Sequence, residues 1–178
     1  MKDVKFVYPS WDEIEKSCYN VCSKMDADGY KPDSIVALLR GGIVPARILS
    51  DYYSILLNFF ALDVKFYTGI GETQAKPQIR DFNDNIIGEN ILIVDDIWDS
   101  GKTMQAVLDC FSDKSLVTTT LFWKETAKGK PDYYSKVAKE DEWIVFPWEK
   151  HEMQNSINKS YEDVGLELFN KATSNGES

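Results

Sequence analysis

Cations are scarce in this chain. Twenty lysines and arginines stand against 29 aspartates and glutamates in 178 residues, giving a net charge of −9 and a pI near 4.7. A general nucleic-acid binder needs a basic face to hold phosphates, so this balance argues against that class of partner. Cysteine is scarce too. Cys18, Cys22 and Cys110 are odd in number and show no metal-ligand spacing. Cys18 and Cys22 sit four apart on an expected helix and read as core packing rather than as ligands or a redox pair. No apolar run is long enough to cross a bilayer, and no secretory signal opens the chain, so a reducing cytoplasm and no membrane partner are expected. Without secretion, the triplet Asn158-Lys159-Ser160 reads as a chance glycosylation match. Internal repeats and low-complexity segments are also missing.

What is present is ordinary for a folded protein: 43% apolar and 28% charged residues. The length favours one domain with a core of normal size. Ser10-Trp11-Asp12-Glu13 is a capping-box pattern, followed by Trp11, Ile14, Cys18, Val21, Cys22 and Met25 at helical spacing up to Asp28-Gly29. Residues 34–39 read as a buried strand, and Arg40-Gly41-Gly42 lead into a helix ending near Tyr53. Strand-like segments follow at 55–60 and 64–67. Residues 68–88 are polar and rich in turn formers, as in a lid or a disordered loop.

The chain is organised around Ile91-Leu92-Ile93-Val94-Asp95-Asp96-Ile97-Trp98-Asp99-Ser100-Gly101-Lys102-Thr103. The apolar run reads as a buried parallel strand, and residues 103–111 as the helix after it. The polar residues then lie at the carboxyl end of a strand, where open α/β sheets bind ligands. A loop entering a helix offers backbone N–H groups to an anion, Gly101 admits a close approach, and Ser100 and Thr103 add hydroxyls. Asp95 and Asp96 are acceptors suited to vicinal sugar hydroxyls or Mg²⁺. Three aspartates within five residues exceed what helix capping requires. A phosphate cradle beside two carboxylates implies a sugar phosphate. A Walker A loop is excluded, because its first glycine would fall on Asp96. Arg40-Gly41-Gly42 is a second anion site of the same kind, with Arg40 able to clamp phosphate oxygens in a bidentate way.

The central stretch resembles the phosphoribosyl-pyrophosphate (PRPP) signature of type I phosphoribosyltransferases: apolar run, Asp-Asp, two residues, then Asp-Thr-Gly-x-Thr, with Ser100 here in place of the first threonine. The resemblance extends over roughly residues 5–150. It implies an α/β fold with a central, mostly parallel sheet flanked by helices, a flexible lid at about 68–88 and a small base-binding hood at about 124–150. Residues 1–150 would form this domain, and residues 151–178 a partly helical tail in which Ile157, Tyr161, Val164 and Leu168 recur at helical spacing. It also implies a non-proline cis peptide at or next to Leu39–Arg40.

Further along, residues 116–123 read as a strand with Lys124 at its end, residues 130–134 as a turn, and residues 142–149 as a short aromatic strand closed by Pro147. The spacing of Lys124, Pro131-Asp132-Tyr133-Tyr134 and Trp143-Ile144 is similar to that of bacterial xanthine-guanine phosphoribosyltransferases and their archaeal relatives. That likeness implies purine salvage: a 6-oxopurine (xanthine, guanine or hypoxanthine) plus PRPP giving a nucleoside monophosphate and pyrophosphate, with Mg²⁺ as cofactor. Carried over residue by residue, Lys124 donates to the purine 6-oxo group, Trp143 stacks on the base and the backbone at Ile144 meets its far edge. Arg40 and Gly41 hold pyrophosphate. Asp95 and Asp96 hold the ribose hydroxyls or the metal. Ile97, Trp98, Asp99, Ser100, Gly101, Lys102 and Thr103 surround the 5′-phosphate. Asp99 is either the general acid/base at N7 or a loop organiser, and Lys76 and Arg80 are the lid's cations. Relatives are homo-oligomers, dimers or tetramers. Two other readings stay open: a PRPP-sensing regulator without catalysis, and a transferase for another nucleobase.

Overall fold

The computed structural model describes residues 4–67, 76–80, 86, 88–111 and 115–153. In chain order the elements are β1 (Lys5–Val7), α1 (Trp11–Ala27), β2 (Ser34–Leu39), α2 (Ile43–Tyr52), β3 (Phe59–Tyr67), β4 (Lys76–Arg80), β5 (Ile91–Trp98), α3 (Lys102–Cys110), β6 (Leu116–Lys124), β7 (Tyr133–Ala138), β8 (Glu142–Ile144) and a 3₁₀ turn (Pro147–Glu149). Two compact units are distinguished, Met1–Ile14 with Asp141–Ser178, and Glu15–Glu140. The expected tail after residue 153 lies outside the described residues.

The larger unit is built on a six-stranded sheet in the order β4-β3-β2-β5-β6-β7. All neighbours are parallel except β3 and β4. Parallel strands buried on both faces are apolar throughout, and Ile35, Val36, Ala37 and Leu38 of β2 and Ile91–Val94 of β5 are fully buried. The chain steps from β2 to β3 in one direction along the sheet and from β5 to β6 in the other. Right-handed crossovers run in opposite directions put their helices on opposite faces, which places α2 and α3 on the two sides. Alternation along the strands serves both layers. Val36, Leu38, Ile91 and Ile93 join Met104, Val107 and Phe111 of α3 in one cluster. Cys18, Val21, Cys22 and Met25 form the buried stripe of α1, and the Tyr53 hydroxyl donates to the Cys22 carbonyl at 3.2 Å, tying α1 to the end of α2.

Several local expectations are corrected. Residues 55–58 precede the strand rather than belonging to it, and Leu56 and Leu57 are exposed. The stretch 68–88, expected as a loop, contains β4, which pairs with β3 from Tyr67↔Lys76 to Asp63↔Arg80. Pro77 argued against a strand, but an edge strand tolerates a missing donor. Tyr133-Tyr134, expected in a turn, open β7 at the other edge of the sheet. Its signal was hidden by Ser135 and Lys136, which break the apolar pattern.

The smaller unit pairs β1 with β8 in parallel, Phe6 opposite Trp143. The capping box forms as read: Glu13 N–H donates to Ser10 Oγ at 3.3 Å, and Ser10 N–H to Glu13 Oε2 at 2.8 Å. Residues 142–149 are not one strand. β8 stops at Ile144, and Pro147 opens a 3₁₀ turn instead, because proline supplies no ladder donor and suits a first helical position.

Candidate active site

The strand order reverses between β2 and β5, and such a switch point leaves a crevice at the carboxyl ends of the strands. Two loops enter it. From β2 comes Arg40-Gly41-Gly42, with a cis peptide between Leu39 and Arg40. Here the glycines serve close approach. A methyl group on Gly41 would overlap the Asp96 carboxylate, and one on Gly42 would overlap the Val94 carbonyl oxygen and stand 2.7 Å from that of Leu38. Arg40 is exposed.

From β5 comes the motif. The strand runs on through Asp95, Asp96, Ile97 and Trp98, so the turn itself is only Asp99-Ser100-Gly101. Gly101 is the residue before α3, with φ +81° and no side-chain cap on the helix. The first-turn N–H groups of a helix have no partner within it, which suits an anion. Lys102 N–H leans on Ser100 Oγ at 3.4 Å. A cavity of about 240 Å³ is lined by Asp95 to Gly101 with Thr103 and Met104. Lys102 opens α3 and is exposed.

Asp95 and Asp96 are consecutive, and Asp95 Oδ1 accepts the Asp96 N–H at 3.0 Å. Burial, reinforced by the charge of Asp96, pushes the Asp95 carboxyl well above the usual carboxylate range. Asp99 faces solvent more openly, and its Oδ1 meets Lys124 Nζ at 2.7 Å. Lys124 closes β6, one strand over, where the Trp98↔Trp123 register sets the two chains level. The structure thus brings Gly41, Asp95, Asp96, Asp99, Ser100, Gly101, Thr103 and Lys124 to one edge of the larger unit.

Ile97 and Trp98 line the same cavity from the end of β5, Ile97 half-buried and the Trp98 ring set in the core. Trp143 and Ile144 lie in the smaller unit, on β8, with Trp143 55% exposed and Ile144 buried. Lys76 and Arg80 bound β4, and their side chains lie outside the described residues. Sequence reasoning passed over the loop after Lys124, where Lys128 and Gly129 touch the motif. Gly129 was its only signal.

A family model described as the phosphoribosyl transferase domain matches residues 10–153. The chain belongs to the phosphoribosyltransferase family. Among curated relatives, the xanthine-guanine phosphoribosyltransferase of Cereibacter sphaeroides is 32% identical over 152 residues, covering 82% of this chain and 87% of that protein. Xanthine phosphoribosyltransferase 1 of Saccharomyces cerevisiae is 26% identical, covering 86% and 94%. Among solved structures, a purine phosphoribosyltransferase from Pyrococcus horikoshii is 32% identical with a TM-score of 0.68, over 80% of this chain and 93% of that one. The xanthine-guanine-hypoxanthine phosphoribosyltransferase of Helicobacter pylori is 26% identical with a TM-score of 0.69, over 86% and 99%. This phosphoribosyltransferase therefore carries the expected α/β fold with its central, mostly parallel sheet. No helix among the described residues is long and apolar enough to cross a membrane.

Proposed function

We propose that this phosphoribosyltransferase transfers the ribose 5-phosphate of PRPP to a 6-oxopurine. The observation that carries the reading is the Asp99–Lys124 pair at 2.7 Å beside the motif cavity. O6 and N7 lie next to each other on one edge of a 6-oxopurine. A lysine ammonium donates to O6 and a neighbouring carboxylate takes a proton at N7. Adenine would present its 6-amino group to that ammonium, donor against donor, and be rejected.

In the reaction, purine N9 attacks C1′ while the bond from C1′ to the pyrophosphate oxygen breaks and the leaving group keeps the electron pair. Charge builds on the ribose ring and on pyrophosphate. Arg40 and the backbone at Gly41 hold the pyrophosphate oxygens. Backbone N–H groups of residues 99–103, with the Ser100 and Thr103 hydroxyls, hold the 5′-phosphate. Asp95 and Asp96 accept from the ribose hydroxyls. Asp99 takes the purine proton displaced as N9 bonds to carbon. Trp143 supplies a stacking face for the base, with the Ile144 backbone at its far edge, and Lys76 and Arg80 serve the lid.

Mg²⁺ fits the donor set. Two adjacent carboxylates, one raised by burial and by its neighbour's charge, are hard oxygens that a divalent cation would relieve. Among the described residues no group of three or more metal-ligating side chains forms. The remaining coordination positions therefore fall to water and substrate oxygens, as is usual for Mg²⁺. When bound, the ion would neutralise charge on pyrophosphate. Assembly as a dimer or tetramer belongs to the same proposal and is read by light scattering.

A spectrophotometric assay with PRPP and Mg²⁺ tests the reading, with hypoxanthine, xanthine, guanine, adenine and uracil offered separately. Turnover of one or more 6-oxopurines with adenine silent is expected, and it ranks the substrates at once. PRPP binding without turnover of any base would replace it with a PRPP-sensing regulator.

A further inference from the structure

We infer that the Trp98 indole N–H is a positioning group that ties the 5′-phosphate loop to the base-recognising Lys124 through the loop at 125–130, so that both substrate contacts move as one element. This inference rests on the phosphoribosyltransferase reading above. The Trp98 ring is 5% exposed and packs with Met104 and Val107 of α3. A phenylalanine would serve that packing. What phenylalanine lacks is the donor, and Trp98 Nε1 donates to the Lys128 carbonyl at 3.0 Å.

Lys128 uses both of its backbone groups across the gap. Its carbonyl accepts from Trp98, and its N–H donates to the Ser100 carbonyl at 3.1 Å, inside the phosphate loop. One residue earlier in the same turn, Ala127 N–H donates to the Lys124 carbonyl at 2.9 Å. The ring closes on the far side through the 2.7 Å contact of Lys124 Nζ with Asp99 Oδ1. Residues 98–100 and 124–128 therefore form one closed circuit of hydrogen bonds and an ion pair.

Two glycines mark how closely the loops are seated. Gly101, at φ +81°, abuts the same Lys128 carbonyl, and an added methyl would overlap that oxygen and stand 2.6 Å from Trp98 Nε1. Gly129, also at φ +81°, lies on the Trp98 ring, where a methyl would come within 3.0 Å of Cζ2. Both glycines hold a backbone conformation that side chains disfavour, at a place where a side chain has no room. Trp123 Nε1 adds a contact to the Gly129 carbonyl at 3.3 Å.

The functional consequence is reciprocal coupling. A phosphate that orders residues 99–103 also orders Lys124, and a base that orders Lys124 also orders the phosphate loop. Trp98→Phe keeps the ring and removes the donor. Gly129→Ala disturbs the tie from the opposite side, its methyl pressing on the Trp98 ring while the indole donor is kept. For Trp98→Phe, loss of one neutral hydrogen bond predicts a rise of about fivefold in KM for PRPP and for the 6-oxopurine alike, exceeding any fall in kcat. Gly129→Ala is expected to show the same paired rise. A purely structural role would lower Tm and the active fraction, hence kcat, and leave both KM values in place.

Amide hydrogen exchange, which needs no substrate, reads the same tie. Exchange at Lys128 and across 99–103 is expected to quicken together in each variant. A rise in only one KM, or in neither, overturns the inference, as does faster exchange confined to one of the two loops. If the unaltered protein turns over no purine, the proposed function fails. The exchange result then decides the tie alone.

Discussion

Aspartates stand at both ends of the parallel sheet, and the two ends use them differently. Where β2, β5 and β6 begin, acids are absorbed into the fold. Asp33 gives one carboxylate oxygen to the Glu89 N–H at 3.0 Å and the other to the Asn90 N–H at 3.2 Å, pinning the entry to β5 beside that of β2. Asp132 Oδ2 accepts both the N–H and the hydroxyl of buried Thr118, at 2.8 and 2.7 Å. Where the same strands finish, Asp95 and Asp96 are adjacent like charges, and Asp99 meets a lysine rather than the backbone. At one end the carboxylates complete hydrogen bonds that the chain itself requires. At the other they are set against burial and against each other, an arrangement that stays favourable when a ligand or cation completes it.

This contrast can be broken in a graded series. The largest effect belongs to Asp99→Asn, which keeps the shape and removes the proton acceptor. A fall of about 10²–10³ in kcat is expected, with Tm nearly unchanged because the pair with Lys124 is partly exposed, measured by steady-state kinetics beside a thermal melt. A loss below tenfold would assign Asp99 to loop organisation. Next comes Gly41→Ala, whose methyl group meets the Asp96 carboxylate. It should lower kcat/KM for PRPP about 10²-fold, equivalent to roughly 2.7 kcal/mol, while the base KM holds.

At the opposite end, Asp132→Ala should do the reverse. It leaves the buried Thr118 N–H without an acceptor and destabilises the fold by about 2 kcal/mol in a urea titration, with kcat and both KM values retained. If activity fell with stability, the division between the two ends would be wrong. Smaller still is Ser100→Ala, expected to raise KM for PRPP about threefold to tenfold through one lost hydroxyl contact, and to leave the base KM alone. The smallest effect is at the thiols. Burial pushes Cys18 and Cys22 each up to about 12, so near pH 8 both stay protonated and unreactive, whereas Cys110 is exposed. Iodoacetamide should modify Cys110 alone in the folded protein, with turnover unaffected, as mass spectrometry would read.

Legibility followed the length of the physical signal. The apolar runs of β2, β5 and β6 and the stripe of α1 could be read because burial on both faces, or on one helical face, writes itself into every residue. The edge strands β4 and β7 could not, since an edge pairs on one side and tolerates Pro77 and Lys136. The motif was legible as chemistry, three acids and two hydroxyls around Gly101, but its division was not. Ile97 and Trp98 read as part of the phosphate cradle and do line the cavity, but they line it from the end of β5, which pairing with β6 extends through Trp98, whose ring is set in the core.

The sequence by itself determined the strand-then-loop chemistry, the order of the helices and the family, because residue type and spacing along the chain suffice to specify them. Tertiary structure decided what depends on approach between segments remote in sequence. It set Gly41 against Asp96 and Asp99 against Lys124, and it brought Trp98 to the Lys128 carbonyl. Those contacts arise from the order in which strands pair, and no local pattern in the chain encodes that order.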